Sequence, residues 1–308
     1  MQNARRAYKI RLCGHLRRYK KIVKKTYIIY HNHHNYQDGG NPRMNSTSKK
    51  AILVVSFGTS YENTRKLTIE AIEHDIADAF PACPTYRAWT SKMIIAKLKK
   101  RDGLTIHTVK EALEQMLLDG ITDVIVQPTH VINGIENDQM KADALSFRDR
   151  FSSIVFGNPL LTTEEDNQAI VRVVADEFRD MDPDTALVLM GHGTEHYANT
   201  VYAALDYRFK DTGHKNIFLG TVEAYPALDS LLRAADSFHP KKIVLAPFMI
   251  VAGDHAQNDL AGADPDSWMN RLSSEGYEVT PVLKGLGEYP QVRQILVEHV
   301  QQAMNVSV

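Results

Sequence analysis

Two stretches of the chain share one pattern: residues 124–134 read VIVQPTHVING and residues 243–253 read IVLAPFMIVAG. In each, an aliphatic, β-branched run is followed by a proline and, six residues later, by a glycine. The two prolines and the two glycines are each 119 positions apart. A second matching pair, FGT at 57–59 and HGT at 192–194, follows two other apolar runs. This repeated spacing predicts two similar lobes.

Around these stretches, from residue 51 onward, eight apolar, β-rich runs alternate with segments of helical period. Such alternation indicates parallel sheets covered by helices, and near-continuous Val, Ile and Leu content is typical of strands buried on both faces. We therefore predict an α/β fold with two lobes, residues 50–160 and 161–308, each a four-stranded parallel sheet flanked by helices. Because ligands bind beyond the carboxyl ends of parallel strands, the active site is expected in the cleft between the lobes.

Charge is distributed unevenly along the chain. Residues 1–50 hold 13 of the 36 Lys and Arg residues and a single acidic residue, Asp38. The rest of the chain therefore has a net negative charge. We interpret residues 1–49 as a basic, disordered leader, and the acidic body offers no broad basic surface for nucleic acid. Cys13 and Cys83 form no metal-type pair, and no apolar run approaches the roughly 20 residues of a membrane span. A cytoplasmic protein without membrane or nucleic-acid partners is expected, and a homo-oligomer is compatible with the sequence.

Three consecutive strands of the second lobe end in potential metal ligands, which are His192, Glu223 and His255. Two imidazoles and a carboxylate suit a borderline divalent ion and leave coordination positions open for a substrate nitrogen. A lone histidine at a strand end is more often a structural, hydrogen-bonded residue, so the interpretation depends on all three together. At the positions that we align with these ligands, the first lobe has Phe57, Trp89 and Glu136.

Other sequence features give weaker indications. His196 follows His192 by four positions, but Glu195 precedes the second histidine, unlike in the zinc-peptidase pattern H-E-x-x-H. The glycine-rich stretches match neither nucleotide-binding pattern, and Ser56 lacks the glycines of a hydrolase nucleophile elbow. His130 ends a strand of the first lobe and is a weaker ligand candidate. Three acids are interpreted as helix caps or hydrogen-bond partners of histidines: Asp138, Asp254 and Asp259.

Seven segments together resemble the anaerobic sirohydrochlorin cobaltochelatases, a family of class II tetrapyrrole chelatases. The resemblance runs in order from about residue 50 to residue 304. The segments are LVVSFGTS at 53–60, TSKMII at 90–95, HVING at 130–134, MGHG at 190–193, VEAYP at 222–226, VAGDHAQND at 251–259 and GLGE at 285–288.

The resemblance implies a chelatase-like fold and an enzyme of anaerobic cobalamin synthesis that inserts Co²⁺ into sirohydrochlorin and releases two protons. It assigns His192, Glu223 and His255 as catalytic residues and metal ligands, with His192 as our choice of proton acceptor. No tightly bound cofactor is expected, and the divalent metal is a substrate, with Fe²⁺ and Ni²⁺ as other options. Arg87 and Lys92 are candidates for binding substrate carboxylates. The macrocycle is expected to contact Phe57, Thr59, Ser60, Trp89 and Met93.

Two other functions are compatible with these residues. A ferrochelatase or nickel chelatase acting on the same or a related tetrapyrrole would use the same ligand set. A non-catalytic tetrapyrrole or metal carrier could also clamp its ligand between two lobes, although clamping alone needs no base beside the metal.

Overall fold

The computed structural model describes residues 48–306, so nearly all of the predicted leader lies outside the described residues. The first half contains β1 (Lys50–Ser56), α1 (Glu62–Arg65), a π-helical turn (Lys66–Glu70), α2 (Ala71–Ala79), β2 (Thr85–Trp89), α3 (Lys92–Asp102), α4 (Val109–Leu118), β3 (Asp123–Pro128), α5 (Ile135–Leu145) and β4 (Ser153–Phe156). The second half contains α6 (Glu164–Glu177), β5 (Thr185–Gly191), α7 (Thr200–Asp211), β6 (Ile217–Thr221), α8 (Leu228–Ala235), β7 (Lys242–Pro247), a π-helical turn (Ala256–Leu260), α9 (Trp268–Ser274), β8 (Glu278–Pro281) and α10 (Pro290–Val306). Short 3₁₀ turns occur at Arg148–Arg150, Tyr197–Asn199 and Leu286–Glu288.

The strands form two four-stranded sheets with the same topology, β2-β1-β3-β4 and β6-β5-β7-β8. Every pairing is parallel, and all eight predicted strands are present. The inner strands β1 and β5 are buried along nearly their whole length because helices cover both faces of each sheet. The predicted pair of parallel α/β sheets is confirmed.

Local sequence sets the helix ends. Thr108 begins α4 with a capping box, because its hydroxyl accepts from the Glu111 N–H and the Glu111 carboxylate accepts from the Thr108 N–H at 2.8 Å. Gly120 and Gly276 follow helices with φ of 75° and 94°, the left-handed conformation that glycine adopts most easily. Both glycines therefore end the helices that precede them, α4 and α9. Among the described residues, no helix combines the length and apolarity needed to cross a membrane.

The helix α10 joins the two halves. It follows the second sheet in the chain, yet it packs against α2, β3 and β4 of the first half as well as against α6. Ile72 and Ile76 of α2 share one buried core with Val292 and Leu296 of α10. The predicted boundary between residues 160 and 161 remains a prediction, since α10 contacts elements on both sides of it.

A buried histidine ties α10 to the start of α6. His299 is almost fully buried, and its Nε2 lies 2.9 Å from Oδ1 of Asp166, while its Nδ1 lies 2.9 Å from the Asn158 carbonyl oxygen. Asp166 also accepts from the backbone N–H of Thr163 and so belongs to the N-terminal cap of α6. These hydrogen bonds satisfy polar groups that would be costly to bury unpaired.

Candidate metal centre

His192, Glu223 and His255 lie in the loops that follow β5, β6 and β7, and one ligand atom from each falls within 4.8 Å of the others. His192 Nδ1 is 3.5 Å from Glu223 Oε2, and His255 Nε2 is 3.9 Å from Glu223 Oε1. The two imidazole rings meet edge to face, with centroids 4.5 Å apart and planes at 87°. The structure therefore brings together the three residues that the sequence singled out.

The backbone positions these loops. The Glu223 N–H donates to the His192 carbonyl oxygen at 2.9 Å, which continues the β5–β6 pairing beyond the strand ends. Gly193 has φ of 88°, and a Cβ there would approach Ala224 N and Thr221 Cβ to 2.8 Å. A side chain at Gly193 would thus force the two loops apart, so glycine allows His192 and Glu223 to approach each other.

The three side chains remain accessible, with exposed fractions of 45% for His192, 51% for Glu223 and 31% for His255. Each histidine has one further hydrogen-bond contact: His192 Nδ1 with the Gly193 carbonyl oxygen at 2.9 Å, and His255 Nδ1 with Asp259 Oδ2 at 2.7 Å. Two imidazoles and one carboxylate on an accessible surface can hold a divalent cation while leaving positions open for other ligands.

The residues predicted to contact the macrocycle differ in exposure. Phe57 is 42% exposed and Met93 is 77% exposed, whereas Thr59 and Ser60 are buried. Trp89 is fully buried, and its ring lies directly beneath Gly58, where a Cβ would come within 2.5 Å of ring atom Cε3. Trp89 consequently has no face to offer a ligand and acts as a core residue below the loop after β1.

The alignment of Trp89 with Glu223 was wrong. Ser56 pairs with Trp89 in the first sheet, and Gly191 pairs with Thr221 in the second, so Trp89 corresponds to Thr221. The Ser91 N–H donates to the Phe57 carbonyl as the Glu223 N–H donates to that of His192, which makes Ser91 the counterpart of Glu223. The error arose because the connection between the first two strands differs in length between the halves.

The two residues expected to bind substrate carboxylates, Arg87 and Lys92, have different surroundings. The guanidinium of Arg87 pairs with Glu73 of α2 and lies 3.7 Å from Glu70, the last residue of the preceding π-helical turn. Its charge is already neutralised there, so the expectation that it binds substrate carboxylates is wrong. Lys92 is exposed next to Ser91.

Two side-chain contacts also link the two lobes. The hydroxyl of Tyr61 donates to Asp254 Oδ1 at 3.2 Å, and His196 Nε2 lies 3.4 Å from Asp138 Oδ2. Burial, with a smaller effect of the nearby Asp254 carboxylate, raises the pKa of Tyr61, so its hydroxyl stays a proton donor. Of the three acids interpreted as helix caps or partners of histidines, two contact a histidine: Asp259 contacts His255 and Asp138 contacts His196. Sequence reasoning did not identify Tyr61.

His130 is not part of the cluster. Its ring nitrogens are shielded from solvent, and burial lowers the pKa of His130 to about 4, despite an opposing effect of Asn137. The imidazole is therefore neutral near pH 7.

Comparisons with known proteins agree with this arrangement. The model of the cobalt chelatase (CbiK) family matches residues 50–305. The chain is 39% identical to a sirohydrochlorin cobaltochelatase of Salmonella typhimurium over 260 residues, which cover 84% of this chain and 98% of that protein. It is 32% identical to the sirohydrochlorin cobaltochelatase CbiKC of Nitratidesulfovibrio vulgaris over 265 residues, covering 84% of this chain and 92% of the relative.

Solved structures match the fold. SirB from Bacillus subtilis with Fe³⁺ aligns with a TM-score of 0.58 at 14% identity, covering 84% of this chain and 97% of that one. The Bacillus subtilis subspecies spizizenii sirohydrochlorin chelatase SirB in complex with cobalt aligns with a TM-score of 0.56 at 14% identity and the same coverage. The fold is that of the class II chelatases, and the chain belongs to the CbiK cobalt chelatase family.

Proposed function

We propose that this protein is a sirohydrochlorin cobaltochelatase, which inserts Co²⁺ into sirohydrochlorin and releases two protons. The observation that carries the proposal is the convergence of His192, Glu223 and His255 within 4.8 Å at the carboxyl ends of three strands. Membership of the CbiK family and the names of its two relatives support the choice of substrate.

The metal substrate would be held by the three side chains together. Two neutral imidazoles give affinity for a borderline ion such as Co²⁺, and the carboxylate of Glu223 offsets part of its charge. With three protein ligands, the remaining coordination positions are left for water and then for pyrrole nitrogens. Transfer requires these bonds to be reversible, which accessible side chains in loops allow.

Metal insertion also removes two pyrrole protons. We assign the acceptor role to His192, since imidazole is the side chain that most often acts as a general base and His192 lies beside the other two ligands. In this scheme His255 and Glu223 hold the ion throughout. His192 binds the ion at one stage and accepts a pyrrole proton at another. The accessible ring of His192 can pass the proton on to solvent.

The macrocycle would lie between the three ligands and the first lobe. The exposed side chains of Phe57 and Met93 provide apolar contact, and Lys92 provides a positive charge for a substrate carboxylate. Thr59 and Ser60 are buried, so their contribution to this surface is to support the loop after β1.

The test is an insertion assay with purified protein and sirohydrochlorin, following the change in the tetrapyrrole absorbance against an enzyme-free control. Co²⁺, Fe²⁺ and Ni²⁺ are compared at equal concentrations. We expect the highest kcat/KM with Co²⁺. Insertion at the enzyme-free rate for all three metals would refute the proposal, and a clear preference for Fe²⁺ or Ni²⁺ would reassign the metal.

The same assay separates an enzyme from a carrier. With tetrapyrrole in a hundredfold excess over protein, an enzyme converts the whole pool, whereas a carrier produces at most one equivalent. We expect complete conversion.

A further inference from the structure

The two histidines of the candidate metal centre have different hydrogen-bond partners. Nδ1 of His255 contacts a carboxylate oxygen of Asp259 at 2.7 Å, whereas Nδ1 of His192 contacts the uncharged carbonyl oxygen of Gly193 at 2.9 Å. An ionised carboxylate only accepts hydrogen bonds, so Nδ1 of His255 carries the proton. Its Nε2 then keeps a free lone pair, and this is the atom that faces Glu223 at 3.9 Å.

The first lobe provides an internal reference for Asp259. At the displacement of 119 positions, Asp259 corresponds to Met140 and Ala256 corresponds to Asn137. In the regular helix α5, Asn137 and Met140 are buried, three residues apart. In the second lobe the matching segment is a π-helical turn, where the buried residues are Ala256 and Leu260, four residues apart.

The π-helical turn explains why a carboxylate can occupy position 259. In an α-helical register, residue 259 would point into the core as Met140 does, and an ionised side chain there would be costly. In the π-helical turn the buried residue is Leu260 instead, and Asp259 lies partly exposed beside His255. Such turns are rare and are often found at functional sites.

We propose that Asp259 is a positioning residue for metal binding. By accepting the Nδ1 hydrogen bond, it fixes the tautomer and the orientation of the His255 ring, so that Nε2 points at the metal substrate. His255 thereby becomes the firmer of the two histidine ligands. The inference rests on the proposed function in taking Co²⁺ as the metal, and it follows the general rule that a ligand histidine is held through its other ring nitrogen.

A second histidine–aspartate pair in the chain offers a matched control. His74 and Asp78 on α2 are also four residues apart, with Nδ1 3.1 Å from Oδ2, but both side chains are largely exposed. Among the described residues, neither belongs to a group of three side chains whose ligand atoms converge. Asp78→Ala therefore removes the same type of contact without touching the candidate metal centre.

The experiment measures Co²⁺ binding to the full chain by isothermal titration calorimetry, without tetrapyrrole and at constant pH. We expect Asp259→Ala to weaken Co²⁺ binding by about 10- to 100-fold, the usual effect of removing such a partner. Asp259→Asn should weaken it less, by at least about threefold, because its amide oxygen is a weaker acceptor for Nδ1–H. Asp78→Ala should bind as the wild type does.

Steady-state kinetics supply a readout that a merely structural role would not change. The KM for Co²⁺ should rise in both Asp259 variants, while the KM for sirohydrochlorin stays at the wild-type value. A Co²⁺ dissociation constant within twofold of the wild type in folded Asp259→Ala would overturn the inference. If that variant fails to fold, the same criterion applies to Asp259→Asn. Failure of the wild type to insert cobalt would refute the proposed function, whereas the Co²⁺ titration tests Asp259 independently.

Discussion

Tyr61 and His196 occupy the same position in the two lobes, and each contacts a carboxylate of the opposite lobe. Each is the fourth residue after the matching Phe57 and His192. Tyr61 reaches Asp254, and His196 reaches Asp138. The two lobes are therefore linked by two contacts in which Tyr61 and His196 are related by the internal repeat, whereas their partners Asp254 and Asp138 are not.

Loss of the hydrogen bond between Tyr61 and Asp254 should weaken binding of the tetrapyrrole. Tyr61→Phe removes a single hydroxyl, and a hydrogen bond of about 1 kcal/mol corresponds to about a fivefold change. We expect the KM for sirohydrochlorin to rise by about 2- to 10-fold. Tyr207→Phe, at an exposed tyrosine of α7, is the control, and an unchanged KM in Tyr61→Phe would show that this hydrogen bond does not affect substrate binding.

Removal of His192 should abolish insertion without unfolding the protein. Because a positioned base contributes about 10²- to 10⁴-fold, we expect kcat of His192→Ala to fall by at least a hundredfold. The comparison is with His74→Ala, which removes an exposed imidazole from α2. Wild-type turnover by His192→Ala would rule out both the ligand and the base roles.

Replacement of Trp89 should lower the stability of the fold, whereas replacement of Met93 should weaken substrate binding. Trp89→Ala creates a cavity under Gly58 and should cost about 3–5 kcal/mol of unfolding free energy. Met93→Ala, at an exposed side chain, should leave the unfolding free energy within about 0.5 kcal/mol and raise the KM for sirohydrochlorin. Denaturant unfolding and insertion kinetics on both variants check this; a stable Trp89→Ala with a raised KM would favour a direct contact instead.

Asp166 should make the fold sensitive to acid. Burial alone would raise the pKa of Asp166, but hydrogen bonds from Thr163 and His299 outweigh that effect and lower it. A lowered pKa stabilises the fold at pH values above the ordinary value of about 3.9, and the stabilisation is lost as the pH falls through the native value. Asp166→Asn should therefore be less stable near pH 7 and show a shallower loss of stability below about pH 4. Parallel pH-dependent stability curves for the two proteins would contradict this.

The internal repeat made the fold predictable. Matching prolines and glycines at one displacement defined the third strand of each sheet, and the apolar runs supplied the others. The three candidate ligands followed because parallel strands bring their carboxyl ends to one edge. These inferences needed only local pattern and topology.

Two expectations failed because they required packing information. Trp89 looked like a cleft residue, but the register places its ring under Gly58 in the core. Arg87 was a candidate for binding substrate carboxylates, but Glu73 of α2 and Glu70 of the preceding π-helical turn lie beside its guanidinium. Likewise, no periodicity distinguishes the π turn at Ala256–Leu260 from a regular helix, so the contact between Asp259 and His255 could be predicted only in general terms.

The position of α10 has a consequence for how the protein is made. On the ribosome, α2 and the first sheet emerge long before α10, which covers Ile72 and Ile76 in the finished protein. Until residues 290–306 leave the exit tunnel, that apolar surface stays open to chaperones and to aggregation. The native surroundings of Ile72 and Ile76 in the first half are therefore complete only after residues 290–306 have been synthesised.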